Sequence, residues 1–264
     1  MFKKFLILSL LGVSLSFATW GYFPLKDSDA GLTVKASHFI AFGDADVHRF
    51  DINARYVIGT SLEFALMNLG YQFNDPSGMP NPIASIRFQF NEKNLLFVEG
   101  AIPIGADYYT EYIHAGVQRA LILSKHFAWS TELGLNYTFS STEESYNGNI
   151  TLKPGFELNF ATEADFNAKP SFIWFIGAEA ATMITESKIA REREVYDSWY
   201  GYYYQNEEVY AGDRFDFGVA IFGGFNFEIV KHTFIEEEFS AMVFGTGKYD
   251  YSAYAFKTSL KHSF

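Results

Sequence analysis

Asp44, Asp46 and His48 place two carboxylates and an imidazole within five consecutive residues. Such groups can activate a water molecule by acid–base catalysis or bind a divalent cation weakly. Because all three crowd one short segment, a hydrated turn or a weak ion site is the favoured interpretation. His114 and His126 have no serine at a convincing spacing, and the six histidines form no HExxH or similar motif. The chain is therefore predicted to be no enzyme and to hold no metal or cofactor.

A second set of charged residues follows a period-two alternation along the chain. Side chains of a β-strand alternate between its two faces, so charged residues opposite an apolar face would share the interior of a closed sheet. The candidate pore-lining residues are Arg49, Asp51, Arg55, Arg87, Glu99, Glu132, Lys153, Glu157, Glu179, Asp216, Glu228, Glu236, Glu238 and Lys257. Their acidic surplus predicts a pore that concentrates cations. The alternative is a filled interior in which acids and bases pair.

A third set of residues lies in the tyrosine-rich segment 186–212. Its candidate extracellular binding residues are Tyr196, Trp199, Tyr200, Tyr202, Tyr203 and Tyr204. Flat rings beside carboxylates are suited to sugar or peptide ligands. The favoured interpretation, however, is a hairpin that extends above the membrane, because tyrosine is also common in strands and at membrane interfaces. A loop folded into the interior remains a third alternative.

The elements that would position these residues are amphipathic strands separated by turn signals. The alternation is clearest over Phe127–Phe139 and Phe215–Ile229. About twelve such strands are predicted, within a range of about ten to fourteen. Short and long connections alternate along the chain, as in a barrel with short turns at one end and longer loops at the other. The exception is Ala161–Lys169, predicted to be a long connection where a short turn is expected.

Several positions interrupt the alternation. Pro154 lies within a predicted strand and cannot donate a ladder hydrogen bond, so a bulge is expected there. Changes of phase near Ser37–His38 and near Met67–Asn68 predict two further bulges. Arg119 and Glu237 fall on the apolar face, but both lie near the predicted short-turn end, where a charge on a lipid-facing wall costs little.

The amino-terminal segment has the features of a secretory signal. Lys3 and Lys4 precede an apolar stretch that is too short to span a bilayer as a helix, which needs about 20 residues. Small residues follow at Ser16 and Ala18, the −3 and −1 positions of a cleavage site. The sequence therefore predicts a cleaved signal peptide, 1–18, followed by one domain, 19–264.

The carboxy-terminal segment is an amphipathic strand that ends on an aromatic residue. From Tyr254 to Phe264 every second residue except Thr258 is apolar or carries a ring. Together with the export signal, this strand resembles the C-terminal strand of bacterial outer-membrane β-barrel proteins, the porin-like and OmpA-like barrels. The resemblance implies an all-β fold, a closed antiparallel up-and-down transmembrane barrel in the bacterial outer membrane. It also implies outer-membrane lipid and lipopolysaccharide as partners, and Phe264 as the signal read by the barrel-assembly machinery.

Composition agrees with a membrane barrel and excludes other classes. Aromatic residues make up 19% of the chain, far above ordinary usage, and can face lipid in a barrel. A net charge of −11 without a basic patch excludes nucleic acid as a partner. The favoured function is a porin-like channel for passive diffusion of small hydrophilic solutes with a mild cation preference. The alternatives are a non-conducting OmpA-like barrel with a structural or ligand-binding role and, as a minor one, an outer-membrane enzyme. The solute and the oligomeric state stay open.

Overall fold

The computed structural model describes most of the chain after residue 30. The described ranges are 31–43, 47–59, 61–74, 77–104, 111–139, 141–143, 150–152, 155–169, 171–183, 188–197, 201–210, 217–246 and 253–264. Within these ranges, no helix is long and apolar enough to cross a membrane.

Sixteen strands are present in the described ranges. They are β1 (Gly31–Gly43), β2 (Val47–Ile58), β3 (Leu62–Gln72), β4 (Ile83–Asn91), β5 (Asn94–Ala101), β6 (Tyr112–Leu123), β7 (Phe127–Thr138), β8 (Ser141–Glu143), β9 (Ile150–Leu152), β10 (Gly155–Lys169), β11 (Phe172–Met183), β12 (Lys188–Asp197), β13 (Gly201–Tyr210), β14 (Phe217–Val230), β15 (Thr233–Gly245) and β16 (Ala253–Ser263).

Twelve of these strands close into one barrel in the order β1-β16-β15-β14-β11-β10-β7-β6-β5-β4-β3-β2. Neighbouring strands are antiparallel throughout, and β1 pairs with both β2 and β16, which closes the sheet. The predicted all-β, closed, up-and-down barrel is therefore confirmed, with twelve strands. Closure leaves no strand edge unpaired, as a hydrocarbon environment requires.

The remaining four strands form a second sheet in the order β13-β12-β9-β8. This order follows that of the barrel strands to which they connect, so the second sheet continues β14, β11, β10 and β7 beyond one end of the barrel. Within it, β12 and β13 pair from Lys188↔Tyr210 to Asp197↔Gly201. The tyrosine-rich segment thus contains a hairpin, as the favoured interpretation predicted.

The barrel wall is polar inside and apolar outside. Along β7, Ser130, Glu132 and Asn136 are buried, whereas the alternate Leu133 and Leu135 are exposed. The same alternation runs along most of the other barrel strands, and their exposed positions are rich in Phe, Leu, Ile and Val. A water-soluble fold would bury these side chains, so this inverted pattern is that of a lipid-facing wall.

The predicted bulge near Met67–Asn68 is confirmed, whereas the one near Ser37–His38 is wrong. Asn68 has a φ of 59°, and the β2–β3 register shifts beside it. By contrast β1 pairs without interruption on both sides. Its apparent change of phase arises because Phe39 and Ala41 face the interior, where they pack in an apolar cluster. Pro154 lies outside the described residues.

The long connection predicted over Ala161–Lys169 is also wrong, because β10 continues through it to Lys169. The outer face of this strand carries small residues such as Thr162, which neighbouring strands cover with rings. Trp129 on β7 donates a hydrogen bond from Nε1 to Thr162 Oγ1 over 2.8 Å. Trp174 on β11 stacks on Phe166 with ring centroids 3.8 Å apart. From β3 onward, short turns and longer connections therefore alternate, whereas the β1–β2 and β2–β3 connections have three residues each.

The two charged residues predicted on the outer wall lie there. Arg119 is exposed on β6, close to the β6–β7 turn. The carboxylate of Glu237 on β15 accepts a hydrogen bond from Thr258 Oγ1 over 2.7 Å. Both positions are near the short-turn end, where water and headgroups reach a lipid-facing side chain and lower the cost of a charge.

Candidate functional site: the barrel interior

The inward-facing cations lie on one arc of the barrel. Lys35 is on β1, Arg49 and Arg55 are on β2, and Arg87 is on β4; Lys257 and Lys261 are both on β16. These four strands and β3 are consecutive around the barrel. This part of the wall is called the basic arc below.

Most cations of the basic arc are paired with carboxylates. Arg49 Nε lies 2.8 Å from Asp51 Oδ2. Glu63 is shared by two arginines, with Arg55 Nη1 at 3.4 Å from Oε2 and Arg87 Nε at 3.8 Å from Oε1. These pairs are almost completely buried, so they neutralise one another within the wall and contribute little net field.

Lys35 forms the ion pair that joins the two arcs. Its ammonium group contacts Glu236 on β15, and the pair spans β16, the last strand of the chain. Both side chains are buried. The contact therefore ties the first strand to the next-to-last strand across the seam where the barrel closes.

The other seven strands form an acidic arc. It runs through β15, β14, β11, β10, β7, β6 and β5. Apart from Lys169, which is exposed at the turn end of β10, the described inward positions of these strands carry no Lys or Arg. Their carboxylates are Glu99, Glu132, Glu157, Glu163, Asp165, Glu179, Glu228, Glu236 and Glu238. In the described residues, this wall of the interior therefore carries an excess of negative charge.

The interior is filled on one side and more open on the other. Lys35 and Glu63 are each 1% exposed and His114 is 0% exposed. On β10 and β11, by contrast, Glu163, Asp165 and Glu179 are only partly buried. The more exposed part of the described inner wall therefore lies along β10 and β11, within the acidic arc.

Apolar clusters account for much of the packing on the filled side. Ala65, Met67, Ile83 and Tyr112 form one cluster, and Val57, Leu95, Phe97 and Ala120 form a second. The third contains Phe39, Ala41, Val47 and Ala255. All three lie inside the wall of β1–β6 and β16, so they narrow the water-accessible interior from that side.

Glycines on the inner wall hold aromatic rings close to the backbone. Phe175 on β11 pairs in register with Gly224 on β14, and Gly177 pairs with Phe222. A Cβ added at Gly177 would lie 2.1 Å from Phe222 Cζ, and one at Gly224 would lie 2.9 Å from Phe175 Cζ. Each ring therefore occupies the space that a side chain on the facing residue would need, and packs against the wall.

The histidine on the inner wall is packed in the same way. A Cβ at Gly134 would lie 2.0 Å from Nε2 of His114 on the neighbouring strand. His114 Nδ1 lies 3.4 Å from Glu99 Oε1, and its ring centroid is 4.9 Å from that of Phe97. The imidazole is thus enclosed between a carboxylate and a ring.

The structure places the predicted pore-lining residues as follows. Arg49, Asp51, Arg55, Arg87, Glu99, Glu132, Glu157, Glu179, Glu228, Glu236, Glu238 and Lys257 occupy inward positions of barrel strands. Glu228 lies at the turn end, where its Oε1 accepts a hydrogen bond from the His232 backbone N–H over 2.9 Å. Lys153 and Asp216 lie outside the described residues.

Some of the predicted residues of the tyrosine-rich segment and of the segment 44–48 lie outside the described ranges. Tyr196 and Tyr202 pair in register, and Tyr203 and Tyr204 lie on the same hairpin strand as Tyr202. Trp199 and Tyr200 lie outside the described residues, as do Asp44 and Asp46. In the described part of the chain, no three His, Asp or Glu residues are arranged to hold a metal ion.

Among the described residues, Lys35, His114, Glu163 and Asp165 are inward and titratable but were not predicted. Lys35 follows the same alternation as Thr33 and Ser37, all three of them buried. Glu163 and Asp165 follow that of Glu157 along β10. The period-two alternation would have predicted three of them, Lys35, Glu163 and Asp165, if β1 and β10 had been taken as regular strands.

The fold is similar to those of known outer-membrane channels. The NanC porin aligns over 88% of this chain and 100% of its own, with a TM-score of 0.54 and 6% identity. An outer-membrane channel of Pseudomonas putida F1 aligns over 92% and 99%, with a TM-score of 0.57 and 10% identity. The chain has the fold of a bacterial outer-membrane β-barrel.

A third structure shows that this fold is not confined to porins and channels. The translocator domain of the autotransporter NalP from Neisseria meningitidis also aligns, over 91% of both chains, with a TM-score of 0.51 and 10% identity. No protein-family model matches the sequence. No curated protein matches it either. Barrels with different functions share this fold, so the fold alone does not identify the function, and the residues of the barrel interior have to do so.

Proposed function

We propose that the protein is an outer-membrane channel for passive diffusion of small hydrophilic solutes, and that it prefers cations. The observation that carries this proposal is the acidic arc, in which six of seven consecutive strands bear inward carboxylates and, among the described residues, the inward positions carry no Lys or Arg apart from Lys169 at the turn end. In a narrow interior with low-dielectric walls, one sign of charge raises the local concentration of the opposite ion.

The route for the solute runs along β10 and β11. There the inward residues Glu163, Asp165 and Glu179 are partly exposed, and Ala161 on the same face is small. Since the opposite side is filled by ion pairs and apolar clusters, the route is off-centre and narrow. Small solutes and low conductance are expected, rather than the wide passage of a general porin.

The size of the cation preference follows from simple electrostatics. A carboxylate stabilises a monovalent cation 4 Å away by about 1 kcal/mol in water, or about fivefold in local concentration. The triple variant E163Q/D165N/E179Q should therefore lower the cation-to-anion permeability ratio at least about fivefold. The measurement is the reversal potential of the refolded protein in a planar bilayer under a salt gradient.

A matched control is available on the outer wall. Glu237→Gln makes the same chemical change on the lipid-facing side of β15, where Thr258 Oγ1 contacts the carboxylate. It should leave the reversal potential unchanged. If the triple variant conducts with the reversal potential of the wild type, the proposed route along β10 and β11 is wrong.

The second candidate function is a sealed surface barrel with a structural or ligand-binding role. The near-complete burial of inward residues on β1–β6 favours it, because side chains that pack so tightly resemble the filled lumen of a small barrel. In that case the hairpin of β12 and β13, with its six candidate binding residues, would carry the function. A folded protein that never conducts would favour this candidate.

We also propose how the protein is localised and assembled. Cleavage after Ala18 and export to the outer membrane, contact with lipid and lipopolysaccharide, and recognition of Phe264 by the barrel-assembly machinery are all part of this proposal. The ring of Phe264 is exposed, and its backbone N–H donates to Leu32 O over 2.8 Å. This leaves the aromatic side chain accessible at the short-turn end. Mass spectrometry of the protein from isolated outer membranes tests the cleavage site.

A further inference from the structure

Two histidines contact each other on the outer wall of the barrel. His38 on β1 and His48 on β2 are both exposed, with their Nε2 atoms 2.6 Å apart and their ring centroids at 4.8 Å. Both belong to the outward-facing alternation of their strands, away from the interior and from the proposed solute route. The proposed channel function requires neither of them.

The backbone holds this pair firmly. β1 and β2 pair without a register shift from Gly31↔Val57 to Ala41↔Val47. His48 is further fixed by its backbone N–H, which donates to Asn74 Oδ1 over 2.7 Å, and by Phe73, whose ring centroid is 5.3 Å from its own. The two imidazoles are therefore preorganised by the barrel wall and do not depend on a loop.

The surroundings of the pair place it among aromatic residues on the outer surface. Phe50 pairs in register with both His38 and Tyr71, and Phe73 lies just after the end of β3. Phe50, Tyr71 and Phe73 are exposed on the outer face near the long-loop end. Rings in this position are typical of the interfacial girdle, where headgroups and water meet the wall. Water can therefore supply further ligands to an ion held by the two imidazoles.

Imidazole nitrogens this close suit a shared cation. As a hydrogen-bonded pair, one ring must donate and the other accept, so only one nitrogen lone pair is used. A metal ion would use both lone pairs. Metal–nitrogen distances of about 2.0–2.1 Å at a tetrahedral angle put the two nitrogens about 3.3 Å apart. A small rotation of the two exposed rings provides that spacing.

We infer that His38 and His48 form a binding site for a late first-row divalent metal ion, with water completing its coordination. Imidazole ligands favour Cu²⁺, Ni²⁺ and Zn²⁺, with Cu²⁺ bound most tightly, whereas Mg²⁺ and Ca²⁺ prefer oxygen. Two protein ligands give a site of moderate affinity, suited to reversible exchange. The site is separate from the solute route, so metal binding can be tested independently of conduction.

The test is metal titration of the refolded full chain by isothermal calorimetry at pH 7.5. Wild-type protein should bind one Cu²⁺ saturably and Zn²⁺ more weakly, and should show no binding of Mg²⁺ at this site. The variants H38A and H48A should each weaken Cu²⁺ binding at least about tenfold. The control H126A changes another exposed histidine, whose Nδ1 lies 3.4 Å from Asn167 O, and should bind as the wild type does.

A spectroscopic measurement tests the ligand set directly. The electron paramagnetic resonance spectrum of the 1:1 Cu²⁺ complex should show two equivalent imidazole nitrogens, reduced to one in H38A. Heat-modifiable migration on gels checks that each variant is folded. The inference is overturned by a wild-type protein that binds no Cu²⁺ saturably, by full affinity in the H38A/H48A variant, or by a spectrum without two nitrogens.

Discussion

The buried ion pair between Lys35 and Glu236 yields the most specific prediction about stability. Lys35 is 1% exposed and Glu236 is 4% exposed, so neither charge has water to replace a lost partner. Removing one member of such a pair costs about 3–5 kcal/mol. Lys35→Met should therefore lower the free energy of unfolding by about 3–5 kcal/mol, which reduces the folding equilibrium constant by a factor of about 10² to 5 × 10³.

The double variant K35M/E236Q separates the pair from its surroundings. It removes the orphaned carboxylate as well, so it should be more stable than K35M alone, even though it has lost both charges. Urea titration in lipid vesicles, followed by tryptophan fluorescence, measures both free energies. Lys93→Met, a change in the exposed β4–β5 turn, is the control and should leave the urea midpoint unchanged. The reasoning is refuted if K35M lies within about 1 kcal/mol of the wild type, or if the double variant is less stable than K35M.

Three further predictions concern the inner wall, the outer wall and assembly. Gly134→Ala places a Cβ against the buried ring of His114 and should cost about 1–3 kcal/mol in urea titration, with recovery in G134A/H114A; additive losses would contradict this packing. Leu135→Arg, midway along the lipid-facing side of β7, should cost about 2–4 kcal/mol, whereas Arg119→Leu near the turn should change stability by about 1 kcal/mol or less; equal effects would contradict the placement of these two residues in the lipid-facing wall. Deletion of Phe264 should reduce assembly in cells, scored by heat-modifiable migration, but leave refolding in detergent intact, and unchanged assembly would argue against its role as a signal.

The fold was predictable from sequence wherever the two faces of a strand differ in polarity. β7 and β16 have this contrast along their whole length, and the structure forms them where the alternation indicates. The second half of β10 lacks it, because the outer face carries Thr162 and Ala164. The lipid-facing surface at that place is supplied by Trp129 and Trp174 from the neighbouring strands. Such cover comes from tertiary packing, which the pattern of one strand cannot show.

The candidate site was predictable in its charge but not in its pairing. An inward acidic surplus follows from counting alternate residues. The separation into a basic arc and an acidic arc does not, because it depends on which strands are neighbours. Arg87 on β4 reaches Glu63 on β3, and Lys35 reaches Glu236 over a distance of 201 residues in the chain. Inward apolar residues such as Phe39 also mislead the pattern, since they imitate a lipid-facing position.

Conduction by the wild-type protein tests the central claim most directly. The refolded chain, shown to be folded by heat-modifiable migration, is inserted into a planar bilayer with a salt gradient across it. The acidic arc predicts discrete single-channel steps of low conductance and a reversal potential of cation-selective sign. A folded barrel that never conducts, or one whose reversal potential is anion-selective, would contradict the account.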